Sequence, residues 1–167
     1  PPWRALLLTS MQGLLALDPT AEAAGQLVPS SRRLVVGIGD FALLRRLGVG
    51  SFGQVWKAQK KSTGDVYAIK AIRKATVKEL NTEAAIDVEN TILERHSCEF
   101  LVRGYFSFES AQHIYFALEF MPGGDLATML ACCGFLPESA SRFYVCEVLA
   151  GVGYLHSQQL IHRDIKP

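Results

Sequence analysis

Cysteine is scarce in this chain, and what there is makes no pattern. The four cysteines are Cys98, Cys132, Cys133 and Cys146. No pair has C-x-x-C spacing and no closely spaced histidine pair accompanies them, so a zinc site is not expected. They read as reduced thiols of a cytosolic domain. Cys146 falls in an apolar helical pattern, where a thiol behaves as a small hydrophobe. Net charge is nearly absent too: 17 basic against 16 acidic residues leave +1. That gives no electrostatic ground for nucleic acid or an anionic membrane as main partner. An uninterrupted apolar run long enough to span a bilayer is also missing. The nearest candidate, Ala5 to Leu17, is too short and is broken by Thr9, Ser10 and Gln12. With Arg4 before it and Ala21-Glu22-Ala23 after it, the stretch has the outline of a signal peptide. A short amphipathic helix or a plain extension is the preferred reading. Internal repeats and low-complexity tracts are lacking as well.

What is present suits a packed domain. The chain has 167 residues, 49% hydrophobic and 20% charged, which fits one domain and argues against wholesale disorder. It opens with Pro1 and closes inside a motif, so it is expected to be a fragment. Residues 1–36 share no periodicity with the rest, and Asp18-Pro19-Thr20 and Val28-Pro29-Ser30-Ser31 are linker chemistry.

From Asp40 the pattern changes. Strands are expected at Phe41–Leu47, Gln54–Lys61 and Val66–Arg73, with Ser62-Thr63-Gly64-Asp65 as a turn. Thr76 to about Arg95 has helical character. Leu101–Phe108 and His113–Phe120 are aromatic and β-branched, hence strands. Met121-Pro122-Gly123-Gly124 breaks the pattern. Beyond it a short helix is expected over Asp125–Ala131 and a long one over Pro137–Ser157. The long one is apolar nearly all round, which predicts burial. The expectation is an α+β fold of two parts: a strand-rich lobe (40–120) and the start of a helical lobe (126–167), joined by a hinge at 121–125.

Gly48-Val49-Gly50-Ser51-Phe52-Gly53-Gln54-Val55 contains G-x-G-x-x-G. Glycines let the backbone approach closely, so that N–H groups can point at phosphate oxygens. A dinucleotide-binding loop of this spacing must open a helix. Here Gln54-Val55-Trp56-Lys57-Ala58 reads as a strand, so the glycines cap a hairpin. That favours a lid over ATP; an ordinary glycine-rich turn seldom needs three glycines so spaced. Leu47, Gly48, Val49, Gly50, Ser51, Phe52, Gly53 and Val55 are the candidate nucleotide contacts of this hairpin.

Val66-Tyr67-Ala68-Ile69-Lys70 lies on the third strand, and a period of two puts Val66, Ala68 and Lys70 on one face. Ala68 leaves room for a flat base, and the compact ammonium of Lys70 suits the α/β-phosphates. A lysine so placed needs an acidic partner. Glu89 is the choice, with Glu83 and Glu94 as rivals. Near the end stands Ile161-His162-Arg163-Asp164-Ile165-Lys166-Pro167. A carboxylate at Asp164 can accept the hydrogen bond of a substrate hydroxyl and orient it. Lys166 can neutralise charge on a transferred phosphoryl group. A solvated Asp–Lys pair is the bland alternative, and the three motifs in this order argue against it.

Taken together, residues 40–167 resemble the eukaryotic protein kinase family. Phe41–Val55, Tyr67-Ala68-Ile69-Lys70, Glu119-Phe120-Met121-Pro122-Gly123-Gly124-Asp125, Tyr154-Leu155-His156-Ser157 and the terminal motif are similar to its AGC group. Lys166, two places after the aspartate, is similar to the Ser/Thr branch. The resemblance implies an ATP-dependent serine/threonine kinase with a small antiparallel sheet and one main helix in its first lobe. It implies a gatekeeper at Leu118, adenine contacts from the backbone of Glu119 and Met121, and Val55 and Ala68 over the base. Asp125 would lie near the ribose and could meet a basic residue of a peptide substrate. It supports Glu89 by its distance from Lys70, and it links Arg163 to control by phosphorylation. Mg2+ is implied as the companion of ATP, with its ligands expected after Pro167, so this fragment alone is expected to be inactive. The implied partners are protein substrates with Ser or Thr acceptors and a regulatory or activating protein. The expected place is the cytoplasm, with the nucleus as alternative. Two other readings compete with it: a non-catalytic kinase-like ATP-binding scaffold, and a nicotinamide-dependent oxidoreductase, which requires a helix after Gly53.

Overall fold

The computed structural model describes residues 15–16, 36–50, 53–95 and 98–166. The expectations for Ser51 and Phe52, and for most of residues 1–36, lie outside the described residues. Five antiparallel strands form the main sheet: β2 (Phe41–Gly50), β3 (Gly53–Lys60), β4 (Val66–Arg73), β5 (Gly104–Glu109) and β6 (His113–Glu119). Their spatial order is β2-β3-β4-β6-β5. Two helices, α1 (Lys74–Glu79) and α2 (Glu83–Arg95), lie between β4 and β5 in sequence. After the hinge come α3 (Leu126–Cys133) and α4 (Glu138–Ser157). A second, two-stranded sheet pairs β1 (Leu15–Ala16) antiparallel with β7 (Leu160–Ile161).

Alternation along the strands sorts the core into two layers. On one face Ile72, Phe116 and Leu118 join Ile86 and Ile92 of α2, Leu155 of α4 and Leu160 of β7 in one buried cluster. On the other face Phe41, Ala58, Tyr67, Ile69 and Ala117 are buried, with Phe106, Phe108 and Tyr115 against them. The aromatic rings there pack edge-to-face and stacked, 5.6 Å between Phe41 and Phe108 and 5.9 Å between Phe41 and Tyr67. Burial holds the Tyr67 phenol above its ordinary range, with the Asp65 carboxylate adding to the effect.

Several boundaries differ from expectation. The helix expected over Thr76–Arg95 is two helices, because Asn81 takes φ 49° between them. Asparagine tolerates that left-handed conformation better than most residues. Leu101 and Val102 are buried yet precede β5, which begins only at Gly104. A Cβ at Gly104 would lie 2.7 Å from the Leu93 Cβ. Glycine there lets α2 pack directly on the sheet, and so sets how closely the helix approaches β4.

α4 corrects the expected burial of the long helix. Of its residues only Gly151 and Leu155 are buried, while Phe143, Val145 and Leu149 are exposed. Val148 and Val152 pack against the first core cluster, so one side alone is supported.

Candidate functional site

β2 and β3 form a hairpin whose register runs from Phe41 opposite Lys60 to Gly50 opposite Gly53. A strand follows Gly53, not a helix, which removes the oxidoreductase reading. The glycines of the hairpin do two different things. A Cβ built on Gly53 would lie 1.8 Å from the Ala71 carbonyl oxygen, so only glycine fits where β3 meets β4. Gly48 and Gly50 have nothing within 4 Å of the place a Cβ would take. They adopt no positive φ in the structure; what they contribute is bare backbone above an open face. Leu47 and Val49 are exposed on the same strand.

Cross-strand neighbours fix which residues share the face below. Val55 lies opposite Lys70, Lys70 opposite Phe116, and Ala68 opposite Leu118. In an antiparallel sheet such partners project from the same side. Val55, Ala68, Lys70 and Leu118 therefore stand together on the face that packs towards α2, as strand periodicity predicted for Ala68 and Lys70.

Lys70 Nζ donates to both carboxylate oxygens of Glu89, at 2.7 and 3.0 Å. Their side chains keep 14% and 2% of their surfaces. Glu83 opens α2 and is exposed; Glu94 is exposed and accepts from Asn90. The structure thus separates Glu89 from the two rivals that the sequence left in contention. A buried ion pair of this kind is strongly destabilised when one member is removed.

At the hinge, the Glu119 N–H donates to the Arg103 carbonyl at 2.8 Å, which ends the ladder. The Glu119 carbonyl and the Met121 N–H lie on either side of Phe120. Met121 accepts from Gly124 N–H at 3.3 Å as the chain turns. Asp125 caps α3: its Oδ1 accepts from the Thr128 N–H at 2.8 Å. Hydrogen bonds from the Thr128 side chain, then from its backbone N–H, hold the Asp125 carboxyl below the ordinary carboxylate range, with burial opposing them.

The third motif leaves α4 through β7. Leu160 belongs to the cluster that also holds Leu118 and Phe116, which ties this segment to the Lys70 face. His162 is buried at 4% exposure, and its Nδ1 accepts from the Asp164 N–H at 3.2 Å. Arg163 takes φ 59°, a left-handed conformation that turns the chain sharply between them. Lys166 Nζ donates to Asp164 Oδ2 at 3.1 Å, and the Asp164 side chain is 26% exposed. Sequence reasoning passed over His162 as a positioning group. Its only signal was a histidine two residues before a candidate carboxylate.

A cavity of about 280 Å³ opens on the opposite face, lined among others by Trp56, Ile69, Arg73 and Tyr115. Of the candidate residues only Gly53 touches it, so it is not the site built above. Among the described residues no group of three or more His, Cys, Asp or Glu stands together to hold a metal. No helix among them is long and apolar enough to cross a membrane.

Comparison with known proteins agrees with this geometry. Serine/threonine-protein kinase sax-1 of Caenorhabditis elegans is 38% identical over 136 residues, 81% of this chain and 29% of that protein. Serine/threonine-protein kinase tricornered of Drosophila melanogaster is 39% identical over 136 residues, again 81% of this chain and 29% of its own length. Serine/threonine-protein kinase LATS1 of Homo sapiens is 40% identical over 127 residues, 76% of this chain and 11% of its own. The chain thus spans between 11% and 29% of the length of these relatives. Residues 41–167, from the first strand of the hairpin to the segment around Asp164, match the protein kinase domain, and the chain belongs to that family.

Proposed function

We propose that this chain supplies the nucleotide grip and the catalytic aspartate of an ATP-dependent protein serine/threonine kinase. The observation that carries the reading is the buried Lys70–Glu89 pair on the face beneath the glycine hairpin. A lysine held this way presents a fixed positive charge to phosphate oxygens. The face fits a nucleotide: Gly48 and Gly50 leave open space above it, and the small Ala68 stands beside Lys70.

Protein kinase domains use ATP with a divalent metal. In our reading Val55 and Ala68 cover the base and Leu118 closes the back of its pocket. The Glu119 carbonyl and Met121 N–H bond its edge. The hairpin from Leu47 to Val55 lies over the triphosphate, and Lys70 takes the α/β-phosphates. Asp125 lies by the ribose, or receives a basic residue of the substrate. Mg2+ is the ion we propose; when bound with ATP it neutralises phosphate charge, and we assign it no ligand among the described residues.

In this reading Asp164 Oδ accepts a hydrogen bond from the hydroxyl of a substrate serine or threonine and orients its oxygen. Lys166, already bonded to Asp164, balances charge on the phosphoryl group in transit. His162 and the Arg163 turn hold the Asp164 backbone in place. The proposed partners are protein substrates bearing such hydroxyls and a regulatory or activating protein.

The test is phosphoryl transfer from γ-labelled ATP to a Ser/Thr peptide by the full-length protein. Lys70→Met is expected to lower transfer by orders of magnitude. Asp164→Asn is expected to lower it about 10²–10⁴-fold, the range for losing a positioned acid or base. Near-normal turnover by either variant would remove its assigned role. Nucleotide binding without any transfer by the parent protein would favour the scaffold reading.

A further inference from the structure

We propose that Lys57 is a positioning residue for the nucleotide, clamping strand β3 to the hinge through the ring of Phe120. The inference rests on the nucleotide reading given above. Its observation is a cation–π contact: Lys57 Nζ lies 4.8 Å from the Phe120 ring centroid. Contacts within about 6 Å of the centroid are attractive.

The placement of the two residues gives the contact its meaning. Lys57 lies opposite Ala68, and Ala68 lies opposite Leu118, so the three form one rung across the sheet on the Lys70 face. Lys57 follows Val55 by two on β3, so it is the next residue of that strand on this face. Phe120 follows Leu118 by two and stands between Glu119 and Met121. Of the residues assigned above to cover the base and bond its edge, Val55 is two places from Lys57 on β3, Ala68 is the cross-strand partner of Lys57, and Glu119 and Met121 flank Phe120.

The hinge needs such a restraint. At this end of β6 the Glu119 N–H donates to the Arg103 carbonyl. Three residues later the chain reaches Pro122, Gly123 and Gly124, all exposed, and Gly124 turns at φ 74°. Phe120 lies between the fixed ladder and this turn. Among the described residues no carboxylate forms a salt bridge with Lys57, so its ammonium is committed to no competing ion pair. Holding Phe120 makes β3 and the start of the hinge one body, and leaves bending to residues 122–124. The base then meets a preset edge, and less ordering accompanies binding.

A matched control exists in the same molecule. Lys60 Nζ lies 4.3 Å from the Phe106 ring centroid, but on the opposite face of the sheet, where Phe41 and Tyr67 are buried. It has the same chemistry and no path to the hinge.

The experiment measures dissociation of a fluorescent ATP analogue from the full-length protein by stopped flow. Lys57→Met keeps the aliphatic stem and removes the charge. It is expected to speed dissociation about two- to fivefold, the scale of a partly exposed cation–π contact. Lys57→Arg, which keeps a cation, is expected to restore the parent rate, a rescue that a role in packing alone would not give. Phe120→Leu is expected to match Lys57→Met, and the double variant to add nothing to the larger single effect. Lys60→Met is expected to leave the rate where it was. Effects of Lys57→Met and Phe120→Leu that multiply, or a Lys57→Met protein that releases the analogue at the parent rate, would overturn the clamp alone. A parent that fails to bind the analogue at all would overturn the nucleotide reading, and the clamp with it.

Discussion

In the sheet, Ile69, Ile72 and Ala117 are 0% exposed, whereas in α4 Phe143, Val145 and Leu149 keep 46%, 56% and 62% of their surfaces. Both regions are strongly apolar in sequence. The sheet is covered on both faces, by α2 and the first cluster on one side and by packed aromatic rings on the other. α4 leans on the cluster along one side, and Tyr144 reaches Met129 of α3. Apolar pattern therefore reports what a surface is made of, not what lies against it. In this chain the side chains proposed to grip the nucleotide are rooted in the closed region, and the candidate base hangs from the open one.

Ion pairs divide along the same line, and this gives the largest difference to test. Lys70 and Glu89 are 14% and 2% exposed; Arg142 and Glu138, at i and i+4 on α4, are 74% and 84% exposed. Glu89→Ala is expected to destabilise the protein by about 3–5 kcal/mol, because it leaves a buried ammonium without its partner. Glu138→Ala is expected to cost about 0.3–0.5 kcal/mol, the scale of a surface pair on a helix. Urea denaturation of the two variants against the parent decides. Equal losses would mean that the burial of Glu89 does not govern its energetics. The same burial bears on Lys70→Met. With Glu89 at 2% exposure, that variant strands a carboxylate, and a lowered Tm is expected alongside the lost transfer.

How much of this was legible in advance follows from the same contrast. β4 lies at Val66–Arg73, where alternation placed it, because a central strand buried on both faces has its ends set by turn chemistry at Asp65 and by the helix start at Lys74. The hairpin was legible through its glycines, although the reason for Gly53, a collision with the Ala71 carbonyl, is a property of two strands together. Gly104 is similar: nothing in the sequence says that Leu93 will press against it. Glu89 could not be separated from Glu83 and Glu94 by pattern alone, since all three lie on one amphipathic helix. The pairing of Leu15–Ala16 with Leu160–Ile161 was invisible, because two-residue strands have no period to detect. The break at Asn81 leaves only a weak local signal, an asparagine that tolerates φ 49°; that Val77 and Ile86 on either side of it share one buried cluster is a tertiary fact.

The two leucines of α4 sharpen the comparison inside a single helix. Leu155 is 1% exposed within the first cluster, and Leu149 is 62% exposed. Leu155→Ala is expected to cost about 2–5 kcal/mol, transfer and cavity combined. Leu149→Ala is expected to stay within about 0.5 kcal/mol in this chain. If denaturation of the two variants gave similar losses, the side of α4 that supports the sheet would have been misidentified.

The smallest effect separates the two helices by how they begin. α3 starts at Asp125, whose carboxylate accepts from Thr128; α4 starts at Pro137, which has no side chain able to cap it. Asp125→Ala is expected to cost about 1 kcal/mol at neutral pH. The size of that cost depends on pH in a direction the cap dictates. Because the hydrogen bonds from Thr128 lower the Asp125 carboxyl in the folded protein, folding is favoured while that carboxyl is ionised. The contribution is complete above the carboxyl range of the unfolded chain. It fades as pH falls through the lower folded value, where the protonated group no longer accepts as a charged cap. The stability difference between parent and Asp125→Ala should therefore shrink on acidification, whereas the difference between Asp125→Asn, which keeps an acceptor oxygen but cannot titrate, and Asp125→Ala should show no such slope. A difference that stays constant into acid would mean that Asp125 acts through its shape rather than its charge, and that α3 begins no differently from α4 in electrostatic terms.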